Sequence, residues 1–200
     1  MPLWGASDAD ESKPKWLTTE EKKNVIATQA GWVRKAGTAE SGNSNTSADV
    51  EVLAAISGLS VSIGQATITY VDWTSSVATF DKSDGFTLSV TVGYNEAVTV
   101  NTSGGTPTLA VTNGNQGSGS GRGPHTLVYA SGSTTNALVF TLVIAAANAA
   151  TNADDVLTLG AQNVLLPGGA TIVDTHGAGN AEVAVSAAQG TACGSRTIVA

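Results

Sequence analysis

The chain has 200 residues, a formal net charge of −7 and only 12% charged side chains, a length that fits one domain with extensions or two small domains. Plentiful valine, isoleucine and leucine exclude a disordered chain, and the low charge with regular glycines favours short strands over long helices. Residues 1–38 carry six basic side chains against five acidic ones, whereas residues 39–200 carry three against eleven, so the body is a poor phosphate binder and nucleic acid is excluded as a partner.

The chain opens on "MPLWGASDADESKPKWLTTEEKK", which holds Trp4 and Trp16, with Trp32 soon after. Neither strand alternation nor a helical stripe is present to bury these indoles. "TTEEKKNVIATQ" predicts a short helix with Thr18 or Thr19 as N-cap, and "AGWVRKAGT" predicts a short strand. We therefore read residues 1–38 as an extended N-terminal arm. Residues 39–65 read as a linker with a short connecting element: "AESGNSNTSAD" is polar, and "VEVLAAISGLSVSIG" fits a strand or a short helix equally.

From Ala66 to the end, apolar and polar residues alternate in short runs. "ATITYVDW", "GFTLSVTVGY", "AVTV", "TPTLAVT", "HTLVYAS", "ALVFTLVI", "DVLTLG", "TIVD" and "EVAVS" read as strands. "YNEA", "SGGTP", "NGNQGSGSGRGP", "SGSTTN" and "LPGGA" read as turns between them, the glycine-rich run at 114–123 as an exposed, mobile hairpin loop. In "GFTLSVTVGY", Phe86, Leu88, Val90 and Val92 face one way and Thr87, Ser89 and Thr91 the other. Seven or more short strands at this spacing predict an all-β fold for residues 66–200, an antiparallel β-sandwich of immunoglobulin-like type.

The order of these runs resembles the immunoglobulin-like repeats of large bacterial surface proteins. The matching residues are Glu96, Val98 and Val100; Gly105, Pro107, Leu109 and Val111; Tyr129, Ser131, Gly132 and Ser133; Leu138 and Phe140; Asp155 and Leu157; and Gly169, Ile172, Asp174, Gly177, Asn180 and Ala181. The likeness covers about residues 66–190 and implies a fold, not an activity. The opening is similar to the N-termini of virion structural proteins of tailed phages, especially marine and cyanobacterial ones. Met1, Pro2, Leu3, Trp4, Gly5, Asp8, Lys13, Pro14, Lys15 and Trp16 carry that resemblance, which implies a capsid decoration or cement role.

Candidates for chemistry are few. His125 and His176 each sit in a glycine-flanked turn with no carboxylate or nucleophile at a recognisable spacing, and read as solvated loop histidines. No G-x-S-x-G elbow occurs. Asn152, Asp154 and Asp155 with Asp174 could offer oxygen ligands to calcium, or could simply shape turns through side-chain to backbone bonds. No EF-hand or zinc spacing is present, so neither metal nor cofactor is expected. "GSGSGRG" lacks the lysine and the strand-to-helix setting of a phosphate loop. Cys193, the single cysteine, reads as a small buried filler. It excludes an internal disulfide and suits synthesis in a reducing cytosol.

Met1 leads straight into Pro-Leu-Trp-Gly without a signal peptide, and "ALVFTLVIAAANAA" is too short to span a bilayer, so no membrane association is expected. These features predict a non-enzymatic protein that reaches the outside on a virion released by lysis. An indole buries on the order of 150–250 Å² when covered, and tryptophan is strongly enriched among interface hot spots. Leu3, Trp4, Lys13, Pro14, Lys15, Trp16, Leu17 and Trp32 are accordingly the expected contacts to a major capsid protein on the outer capsid surface. Arms exchanged within a homo-oligomer, such as a trimer, fit the same pattern. Two other dispositions are open: all three indoles cover their own domain, or Trp32 alone does so while Trp4 and Trp16 engage a neighbour. The alternative function is a tail, fibre or adhesin-like module binding host glycans through Tyr70, Trp73, Tyr94 and Tyr129.

Overall fold

A computed structural model describes residues 13–28, 30–55, 65–115, 125–146, 151–177 and 179–199. Leu3, Trp4 and most of the glycine-rich run lie outside these residues.

The first described segment folds locally. Helix α1 (Thr19–Lys23) starts at Thr18, whose hydroxyl accepts from the Glu21 N–H while the Glu21 carboxylate accepts from the Thr18 N–H. This reciprocal capping box fixes the first turn. The predicted helix stops there, because β-branched Val25 and Ile26 pass into strand β1 (Val25–Thr28). Strand β2 (Gly31–Arg34) returns antiparallel to it, and β3 (Glu51–Ala55) pairs on the far side of β2. The expected linker therefore supplies a strand, and "VEVLAA" resolves as sheet. Leu17, Val25, Ala27 and Trp32 form a small separate core, with Leu53 and Ala54 packed against it. Strand β3 completes the small sheet that carries Trp32.

The body is mostly β and antiparallel-rich. Strand β4 (Ile68–Trp73) is followed by the short β5 (Thr79–Asp81) and by β6 (Phe86–Asn101), a strand of 16 residues. Strands β7 (Thr108–Asn115), β8 (His125–Ser131) and β9 (Thr135–Ile144) follow, then β10 (Asp155–Thr158), β11 (Gln162–Asn163), β12 (Thr171–Asp174) and β13 (Ala184–Val185). Helix α2 (Ala187–Cys193) and β14 (Ser195–Val199) close the chain. The main sheet runs β12-β6-β9-β8-β7-β10-β14-β5, with β4 also on β6, while β11 and β13 pair separately. Strands β14 and β5 are parallel and the remaining pairs antiparallel.

This sheet curls, so that strands from both of its ends share one core. Val71 and Trp73 of β4, Leu88, Val90 and Val92 of β6, Phe140 of β9, Leu157 of β10 and Ile198 of β14 all belong to one buried cluster. Leu88, Val90 and Val92 are completely buried, as the alternation predicts, whereas Phe86 is only partly buried and stacks on Phe80 with ring centroids 4.7 Å apart. Helix α2 packs on β4, and the Trp73 indole N–H donates to the Gly194 carbonyl.

The expected turn at "YNEA" is instead a bulge inside β6. Gly93 pairs with Ala137 and Val98 with Thr135, leaving Tyr94–Ala97 against Asn136 alone. The turn-forming side chains find other work. The Asn136 amide donates to the Tyr94 carbonyl (3.1 Å), and the Asn95 side chain accepts from the Thr67 N–H (2.8 Å). The strand continues past the irregularity.

Candidate partner-binding surface

The stretch 13–17 divides by exposure. Pro14 is buried and its carbonyl accepts from the Leu17 N–H at 3.3 Å. Leu17 is 6% exposed and Trp32 1%. Pro14, Leu17 and Trp32 are thus buried in the chain's own interior. Trp16 is 68% exposed, and Lys15 is exposed beside it. The one-turn bend from Pro14 to Leu17 causes this split: it drives Leu17 inward and leaves Trp16 outside.

Lys13 is half-buried against α1. Its ammonium donates to the Lys22 carbonyl at 2.6 Å, one of the last carbonyls of the helix, which carry partial negative charge. Burial first, then the neighbouring Lys35 and Lys22 charges, hold its pKa down to about 8. Lys35 is lowered by burial too. A groove of about 190 Å³ lies here, lined by Lys13, Thr19, Lys22, Lys23, Thr69 and Tyr70, at the seam between the small sheet and the body.

Tyr70 builds this seam. It pairs with Gly93 across β4 and β6, and its ring occupies the space where a Gly93 side chain would stand, only 2.0 Å from an ideal Cβ. The Lys23 ammonium lies 5.4 Å from the centre of the Tyr70 ring and forms ion pairs with Glu20 (3.0 Å) and Asp72. Arg34 engages Glu51 at 2.8 Å and lies 3.9 Å from Glu21.

The other candidates resolve as structural. His125 is buried (5% exposed), not solvated as expected. Its Nε2 lies 3.1 Å from the Asn113 amide nitrogen and 3.0 Å from the Thr151 hydroxyl. Burial lowers its pKa, and nearby Asp155 partly offsets this. His176 is exposed. Asp155 and Asp174 sit on different strands and bond their own turns: the Asn152 N–H donates to Asp155 Oδ2 and the His176 N–H to Asp174 Oδ1, each at 2.7 Å. Among the described residues no group of three or more His, Cys, Asp or Glu side chains could hold a metal ion, and no helix is long and apolar enough to cross a membrane. Cys193 is buried, and burial with the Asp72 charge pushes its thiol up to about 11. Trp73 and Tyr94 are buried and Tyr70 and Tyr129 partly so.

Tyr129, Gly132, Ser133, Asn180 and Ala181 have identifiable local work. The Tyr129 hydroxyl accepts from the Ser133 N–H (2.8 Å), and the Ser133 hydroxyl accepts from the Val100 N–H (3.0 Å). Gly132 adopts φ 106°, and a Cβ there would stand 2.0 Å from the Ala137 carbonyl oxygen, so only glycine fits. Asn180 bridges to Val173, and the Ala181 N–H donates to Ile172.

Comparison with protein-family models, with characterised proteins and with solved structures finds no match to this chain.

Proposed function

We propose that this chain is a non-enzymatic structural protein of a tailed-phage virion, a capsid decoration protein. Its N-terminal segment attaches to the major capsid protein on the outer surface of the head, and an immunoglobulin-like β-sandwich, residues 66–200, is displayed outward. One observation carries the attachment: Trp16 stands 68% exposed beside lysines, while Trp32 and Trp73 are buried. An uncovered indole forfeits a large burial term, and covering it on a partner recovers that term. The curled antiparallel sheet and the turn-holding work of Tyr129, Gly132, Ser133 and Asp174 support the sandwich. The similarity of residues 1–16 to phage virion proteins supports the location. Many copies on a lattice share the load, and we propose a homo-oligomer, a trimer at capsid threefold positions.

Co-sedimentation with capsids assembled from the major capsid protein tests the attachment. Trp16→Ala, and separately removal of residues 1–12, should each release the protein into the supernatant with its circular dichroism unchanged. Full retention of both variants on the capsid rejects the anchor.

A further inference from the structure

The cations of the N-terminal unit are unequally neutralised. Among the described residues, Lys23 and Arg34 take Glu20, Glu21, Glu51 and Asp72 between them. Among the described residues, Lys13, Lys15, Lys22 and Lys35 take no carboxylate within ion-pair distance. Lys13 and Lys22 line the groove beside Tyr70, Lys35 is close enough to act on Lys13, and Lys15 follows Lys13 by two residues. The Lys13 ammonium gives one N–H to the Lys22 carbonyl, which leaves two donors for a ligand. Crowding half-buried ammoniums without a counter-charge is unfavourable, and an anion brought by a partner relieves it.

We propose that this groove seats a carboxylate side chain from an acidic, extended segment of the partner protein. The proposal rests on the attachment reading above and names the chemistry of the surface that the chain attaches to. The groove, at about 190 Å³, is smaller than the roughly 300–1,000 Å³ of small-molecule sites, so it accommodates a side chain. The body, with eleven acidic side chains against three basic over residues 39–200, repels a long polyanion such as a nucleic acid.

The test uses the full chain and three probes at matched ionic strength: a hexaglutamate peptide, a hexaglutamine peptide and inorganic phosphate. Backbone amide NMR shifts of Thr19–Lys23 and calorimetric titration are the readouts. Hexaglutamate should bind saturably and move those amides, and hexaglutamine should not. The double variant Lys13→Gln/Lys22→Gln, in which residue 13 keeps an N–H for the Lys22-position carbonyl, should weaken hexaglutamate binding about tenfold and flatten its salt dependence. Inorganic phosphate producing the same shifts with equal affinity overturns the carboxylate assignment, as does hexaglutamate binding that ignores the double variant. Capsid co-sedimentation separates the two readings. If Trp16→Ala detaches the protein while Lys13→Gln/Lys22→Gln stays bound, the acidic-segment proposal fails and the attachment stands. If hexaglutamate binds as expected but both variants remain on capsids, the groove chemistry stands and the attachment through this surface fails.

Discussion

Replacing Trp32 with alanine should open the N-terminal sheet while leaving the body folded. Trp32 is the largest member of a cluster whose other buried residues are Leu17, Val25 and Ala27. It is 1% exposed, so nearly its whole surface is removed from water. At about 25 cal/mol per Å², an indole of some 200 Å² contributes on the order of 5 kcal/mol, and measured losses for such truncations run roughly 3–5 kcal/mol. The loss falls on a unit with its own small core, which makes local opening the expected response. Amide hydrogen exchange in β1, β2 and β3 should accelerate by on the order of a hundred- to several-thousand-fold, the equivalent of that loss, with β6 and β9 unchanged. Trp16→Ala is the matched control and should stay within about 0.5 kcal/mol of the parent. Equal acceleration in β6 and β9 would refute the idea of a separately cored unit, and a comparable loss in Trp16→Ala would refute its exposure.

Three further outcomes follow from the geometry. Gly93→Ala places a methyl group inside the Tyr70 ring, so the ring must leave its seat over β6 and withdraw from Lys23; increased proteolysis between residues 13 and 55, with the groove amides shifted, is the expected readout. For His125, burial lowers the folded pKa below the unfolded value near 6.5, and the folded state therefore favours the neutral ring. The corresponding stability is complete above the unfolded pKa and is lost as the pH falls through the folded one. The melting temperature should drop on acidification below about pH 6.5, and His125→Gln should flatten that slope; an unchanged slope assigns the effect elsewhere. Cys193, buried with its thiol pushed up to about 11, should resist a disulfide-exchange reagent at neutral pH until the protein is denatured, because the thiolate is the reacting form. Rapid native labelling contradicts that burial.

Much of the body was legible in the sequence because alternation is a local signal: side chains two residues apart share a face. Thus Leu88, Val90 and Val92 were identifiable as core from "GFTLSVTVGY" alone, and Thr18 or Thr19 as the N-cap of a short helix, between which the capping box of the structure chooses Thr18. The glycine of "YASGSTT" likewise announced a tight turn. What local pattern could not reveal is which distant segment arrives to satisfy a group. Asn95 and Glu96 read as turn-formers until Thr67 and Asn136 reach Tyr94 and Asn95. His125 read as a loop residue until Asn113 and Thr151 closed around it.

The same division governs the N-terminal surface. Composition and spacing determined that the leader was rich in tryptophan and lysine, that the body was acidic, and that the fold was built of strands. Tertiary structure decided which indole is inside. Strand β3, from a segment that reads as linker, pairs with β2 and completes the interior for Trp32, while the bend after Pro14 turns Trp16 outward. The physical reason is that burial belongs to a pair of surfaces: an indole has the same apolar area wherever it occurs, but only the arrival of a second surface, remote in sequence, removes that area from water.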